Sequence, residues 1–144
     1  MIKLKWWMRI VGVFYLLQFV MMAFVRAPIR ALGPEGALAQ ASTGDPMAIF
    51  LVDTWVAFGL EVGVIGAGLL IASRIPDQAK ALVWTVIGIE LVKGPAYDIY
   101  MIARGYELTA FVIWIVIHSV IIVTGLLSLR TTRPAEGAAA ESTR

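Results

Sequence analysis

The sequence predicts an all-α protein: a four-helix transmembrane bundle in up-down-up-down order. Three observations carry this. Hydrophobic residues make up 60% of the 144 and charged residues only 15%, against the roughly 25% charged that is usual for soluble domains. A soluble domain of this size has no way to cover so much apolar surface, whereas a bilayer solvates it. The apolar residues fall into four long runs, each close to the roughly 20 residues that a helix needs to cross hydrocarbon. The runs are apolar at successive positions, without the alternation of a membrane β-barrel.

The first run covers about 6–25 and the second about 49–72. The third covers about 81–103 and the fourth about 108–129. Turn-forming residues separate them. Pro28, Gly33, Pro34, Gly36, Gly44 and Pro46 punctuate the first loop. Arg74, Pro76 and Asp77 mark a tight second connection, and Arg104-Gly105 ends the third run. Residues 1–130 thus form one transmembrane domain. Residues 131–144 read TTRPAEGAAAESTR, a disordered polar tail. Ala37 and Ala39 form an A-x-A pattern of the kind signal peptidase cuts. The apolar run ends at Val25, however, and Arg26 and Arg30 intervene, so the first span is expected to be retained.

Basic residues set the orientation. With the N-terminus inside, Lys3, Lys5, Arg9, Arg74, Lys80, Arg130, Arg133 and Arg144 lie on one side. Arg26, Arg30 and Arg104 lie on the other. Eight against three favours both termini in the cytoplasm of a bacterial inner membrane. Trp6, Trp7 and Tyr106 fall at the expected interfaces. The basic residues are spread singly or in pairs, so the net charge of +2 reflects topology and no nucleic-acid partner is expected. The absence of cysteine excludes disulfides, thiolate catalysis and iron–sulfur ligation.

Ionisable groups inside a span are costly and mark function by default. Asp53 and Glu61 lie in the second run, Glu90, Lys93 and Asp98 in the third, and His118, the single histidine, in the fourth. Gln18 lies in the first. With a rise of about 1.5 Å per residue, Gln18, Glu61, Glu90, Lys93 and His118 each fall within a turn of the midplane. Asp53 and Asp98 lie nearer the outer face. At α-helical spacing, Glu90, Lys93, Tyr97, Tyr100 and Arg104 share one face, on which Glu90 can pair with Lys93, while Asp98 is offset by about 80–100°. Gly94-Pro95 removes a backbone donor and kinks the third helix. Gly59 and Gly63 form a small-residue step that admits another helix, from this chain or from a second copy in a homo-oligomer. Each of these groups also has a plain structural reading as a buried ion pair, a packed histidine or helix–helix glue. No E-x-x-H or H-x-x-x-H spacing is present and Lys93 would repel a cation, so no metal or other cofactor is expected.

The stretches KLKWWMRIVGVFYLL, DTWVAFGLEVGVIGAGLL and ELVKGPAYDIYMIARGY resemble the BphX-like family of small bacterial membrane proteins, from Lys3 to Leu129. The resemblance implies an inner-membrane location. Through the family's gene neighbourhood beside aromatic-ring dioxygenases, it implies contact with lipophilic or aromatic compounds. It carries over no catalytic residues.

Three functions then stand open. The first is binding or transport of a lipophilic small molecule through the midplane cluster, with Glu61, Glu90 and Lys93 setting polarity and proton occupancy. The second is a membrane-embedded acid/base enzyme, isomerase-like, which requires His118 within hydrogen-bond reach of Glu61 or Glu90. The third is a structural or assembly subunit of a membrane complex, in which the ionisable groups only pair with one another or with a partner chain.

Overall fold

A computed structural model describes residues 3–25, 37–106 and 108–130 of the chain. The expected polar tail and most of the first loop lie outside the described residues. Every regular element among the described residues is helical. Helix α1 spans Leu4–Val20 and ends in a π-helical turn, Met21–Val25. A short helix, α2, spans Ala37–Ser42, so the Ala37-x-Ala39 pattern opens it. Helix α3 spans Pro46–Ala72, α4 Lys80–Leu91, α5 Tyr97–Ala103 and α6 Leu108–Arg130.

Three of these helices are long and apolar enough to cross a membrane: Leu4–Phe24, Pro46–Ala72 and Leu108–Arg130. They match the first, second and fourth apolar runs. The third run differs from expectation. It is divided into α4 and α5 by a π-helical turn, Val92–Ala96, inside which Gly94 leaves helical geometry at φ −93°, ψ −110°. Proline explains the break. Pro95 has no N–H to donate, and its ring disfavours helical dihedrals at the residue before it.

Local chemistry also sets the other ends. Gly44, at φ 87°, closes α2. The amide of Asp45 bonds back to the Gln40 carbonyl, and that of Gly44 to the Ala41 carbonyl. Asp45 then caps α3: its Oδ1 accepts from the Ala48 amide at 2.8 Å, and Pro46 takes the first helical position, where no donor is needed. Gly105, at φ 86°, ends α5 in the same way, with Tyr106 N–H bonded to the Met101 carbonyl.

The chain forms two compact units. One is Ile10–Ile71; the other joins Met1–Arg9 to Ala72–Arg144. In the first, α1 and α3 run antiparallel with glycines between them. A Cβ at Gly66 would lie 2.8 Å from the Gly12 carbonyl oxygen, one at Gly63 2.9 Å from Phe19 Cγ, and one at Gly59 2.9 Å from Met22 Cβ. The partner number rises as the glycine number falls, which is the signature of an antiparallel pair. The close approach expected at Gly59 and Gly63 is made within the chain.

In the second unit, Leu4, Trp7 and Met8 from the start of α1 are buried. Trp7 is expected at the membrane interface; instead its indole N–H donates to the Ile121 carbonyl and to Thr124 Oγ1, both at 3.1 Å. Trp6 beside it is exposed. Gly125 makes room for the Trp7 ring, since a Cβ there would sit 2.9 Å from Trp7 Cζ2 and 3.1 Å from Ile87 Cδ1.

Candidate functional site

The second unit places an imidazole against a carboxylate at the broken helix. His118 Nδ1 and Glu90 Oε2 are 2.6 Å apart, and both side chains are largely buried, at 17% and 5% exposure. A contact this short between a ring nitrogen and a carboxylate oxygen holds a proton between them. Its strength follows from the surroundings, because apolar helices offer no competing water.

Gly94 fixes the ring. A Cβ at Gly94 would lie 2.4 Å from His118 Cγ, 2.6 Å from its Cβ and 2.8 Å from its Cδ2. The imidazole therefore rests on the bare backbone of the π-turn. Trp114, one turn before it on α6, covers the ring at 5.8 Å between centroids. With Nδ1 committed to Glu90, Nε2 lies on the part of the ring that Glu90 does not occupy. No hydrogen-bond partner of Nε2 is present among the described residues.

Asp98 is the third polar group here. It is 5% exposed, and its Oδ2 has no hydrogen-bond partner among the described residues. His118 is near enough to act on it electrostatically. Its burial departs from the helical arithmetic, which puts Tyr97 and Tyr100 on the face of Glu90 and turns Asp98 away. Tyr97 and Tyr100 are instead 50% and 55% exposed, and Arg104 is exposed. The π-turn is the reason. It accommodates about one residue more than an α-turn, which retards everything beyond it by about 100°. Val83, Ile87, Glu90, Gly94 and Asp98 therefore form one buried line.

The remaining candidates are placed as follows. Lys93 is exposed, although it neighbours Glu90 in sequence. Gln18, Asp53 and Glu61 lie in the Ile10–Ile71 unit, where Gln18 is half-buried and Asp53 and Glu61 are exposed. Sequence reasoning let Glu90 pair with Lys93 and left His118 a choice of Glu61 or Glu90; the structure sets it against Glu90. Gly94 was the available signal: a glycine one turn from Glu90, at the depth of His118, invites a ring from the facing helix. Among the described residues no group of three or more histidine and carboxylate residues is arranged to hold a metal ion.

The fold and this site define an all-α protein that has, among the described residues, three helices long and apolar enough to cross a membrane and a carboxylate–imidazole pair at a helix break. The family model described as BphX-like matches residues 1–134. Two relatives carry the same name, the "Uncharacterized BphX-like protein" of Burkholderia cepacia and its counterpart in Paraburkholderia xenovorans strain LB400. Each is 32% identical over 124 residues, covering 83% of this chain and 86% of the relative. The chain belongs to the BphX-like family. No solved structure matches it.

Proposed function

We propose that the chain is a four-span protein of the bacterial inner membrane, with both termini in the cytoplasm, that binds a lipophilic small molecule. On this reading the α4–α5 segment is the further span, and the Glu90–His118 pair is the polar centre of the binding site. The observation that supports it is the 2.6 Å contact between His118 Nδ1 and Glu90 Oε2. A carboxylate that engages one ring nitrogen orients the imidazole and leaves the other nitrogen to exchange a proton with whatever lies beside it. A lipid-soluble compound reaches such a site laterally, without crossing water.

On this reading Glu90 carries the proton-linked role, because it is buried and set against the histidine while Glu61 is exposed. The test is thermal stability of the purified protein in detergent, with a panel of aromatic and lipid-like compounds at two pH values. A compound that raises the melting temperature in a pH-dependent way, with that dependence lost in Glu90→Gln and His118→Gln, is the expected result. If no compound acts and both variants merely unfold earlier, the pair is structural.

A second reading is favoured by the same geometry. An imidazole oriented through Nδ1, with Nε2 open, is the arrangement of a general acid/base. A membrane enzyme that moves a proton within a lipid-soluble substrate would use it. Conversion of a bound compound into an isomer, followed by chromatography, separates this reading from binding alone.

A further inference from the structure

The unit that joins Met1–Arg9 to Ala72–Arg144 also holds an arginine whose surroundings orient it without exhausting its donors. Arg9 is half-buried near the start of α1. Its Nε–H donates to Ser73 Oγ at 3.4 Å, and Ser73 is buried. Its Cζ stands 5.2 Å from the centroid of the Trp6 ring, one turn earlier on the same helix, which is within cation–π range. One long hydrogen bond and one indole thus set the plane of the guanidinium. A guanidinium carries five N–H donors in a rigid fork, and Ser73 occupies only the one on Nε. The donors on the Nη atoms of Arg9 have no partner among the described residues.

The neighbourhood is basic. Trp7 bonds to Ile121 and Thr124 and packs on Gly125, so the start of α1 lies beside the last turns of α6. Lys3 and Lys5 therefore stand at the end of the unit that carries Arg130, and Arg74 directly follows Ser73. All four are exposed. Lys5 is four residues before Arg9, on the same side of α1. Asp77 is the single acid in the connection from Ser73 to Ala79. Trp6 and Ile75, each 54% exposed, put apolar surface next to Lys5 and Arg74.

An oriented guanidinium fork with unused donors matches two oxygens of one phosphate. A free phosphate ion would use the fork and the surrounding charge but leave Trp6 and Ile75 in water. A phospholipid uses all of them, because indole rings favour the headgroup level of a bilayer and basic residues there attract anionic headgroups. A zwitterionic headgroup would bring its own cation against Lys5 and Arg74. We infer that Arg9 is the phosphate-binding residue of an anionic-phospholipid site, with Trp6 and Ser73 holding its fork and Lys5 and Arg74 favouring a headgroup of net negative charge. This rests on the membrane location proposed above and is independent of the role proposed for Glu90 and His118.

The test uses the full chain in an uncharged detergent, with dioleoylphosphatidylglycerol against dioleoylphosphatidylcholine, whose acyl chains are the same. Native mass spectrometry counts the lipid retained, and the melting temperature reads its stabilising effect. The wild-type chain is expected to bind the anionic lipid about tenfold more tightly. Arg9→Gln is expected to lose that preference. Arg9→Lys, which keeps the charge and removes the fork, is expected to lose most of it, and it decides the matter where Arg9→Gln fails to fold. Arg104→Gln removes one exposed charge at the end of α5 and is expected to behave as wild type. Excess inorganic phosphate is expected to leave the lipid in place.

Equal binding of the two lipids by the wild-type chain would overturn the inference, as would a full preference kept in Arg9→Lys. The same loss in Arg104→Gln as in Arg9→Gln would reduce the effect to overall charge. Displacement of the lipid by inorganic phosphate would reassign the fork to a soluble anion. A chain that fails to float with liposomes would remove the membrane location together with the inference, whereas one that floats without a lipid preference removes the inference alone.

Discussion

Replacing Gly94 with alanine drives a methyl group into the His118 ring, and the cost follows from the distances. The added carbon would stand 2.4 Å from Cγ, 2.6 Å from Cβ and 2.8 Å from Cδ2. All three are well inside van der Waals contact, and two are the stiff base of the side chain, so the ring has to leave. Overpacking of this kind costs about 1–3 kcal/mol. Displacing the ring also breaks a hydrogen bond to a buried carboxylate, Glu90, which adds about 1.5–3 kcal/mol. The expected loss is therefore roughly 2.5–6 kcal/mol, summed from those two sources. Reversible unfolding in mixed micelles measures it, and a double-mutant cycle with His118→Gly isolates the cause. Once the whole side chain is absent the clash is absent, so Gly94→Ala in that background is expected to change stability by less than about 1 kcal/mol, the ordinary size of a glycine-to-alanine exchange. A cost that is the same in both backgrounds, within about 0.5 kcal/mol, would refute the reasoning and assign Gly94 to the bend alone.

Four further outcomes are expected. Gly66→Ala sets a methyl 2.8 Å from the Gly12 carbonyl oxygen, which is backbone and unable to step aside, so the melting temperature should fall, with a loss of about 1–3 kcal/mol. Gly68→Ala meets nothing within 4 Å and should be neutral or stabilising by up to about 1 kcal/mol. Trp7→Phe keeps most of the ring but removes the donor to Ile121 and Thr124, for a loss of about 1–2 kcal/mol; equal stability would mean that the ring contacts alone anchor the helix. On the proposed orientation, Lys3→Cys and Ser142→Cys in this cysteine-free chain should react with a membrane-impermeant thiol reagent only from the cytoplasmic side. Thr43→Cys should react only from the other side. The opposite pattern would invert the orientation.

Much of the fold is legible as composition and run length. The boundaries Pro46–Ala72 and Leu108–Arg130 lie within about three residues of the runs that hydropathy marks out, which is the usual uncertainty of helix ends. The Asp45-Pro46 start and the Gly105 stop are local chemistry, and they can be read as such. The facing of the helices is less legible, for two separate reasons. In α3 nearly every residue is apolar, so the pattern does not distinguish an inner face from an outer one. Glu61 therefore reads as interior although it is exposed. In the third segment the rule of about 100° per residue fails at one place. Gly94-Pro95 announces a break, but not which hydrogen bonds replace the missing one. That choice depends on the His118 ring, which belongs to a helix 24 residues further along. A single π-turn then reverses the standing of Asp98 and of the two tyrosines. Glu61 and Glu90 read as equal candidates for His118 for a related reason, since nothing local to these residues chooses a partner at a separation of 28.

The division of the chain has a consequence for how it is made. The unit Ile10–Ile71 is contiguous, and its antiparallel hairpin is complete as soon as α3 has been synthesised. The other unit is not. It seats the Trp7 indole against Ile121 and Thr124, a separation of more than a hundred residues. At a synthesis rate of about 5–20 residues per second, the first residues wait several seconds for the helix that receives them. During that interval the Trp7 ring lacks the hydrogen-bond acceptors it will have in the finished molecule. A chain that arrests before α6 thus keeps its glycine-packed hairpin and leaves Trp7 without the acceptors that α6 supplies.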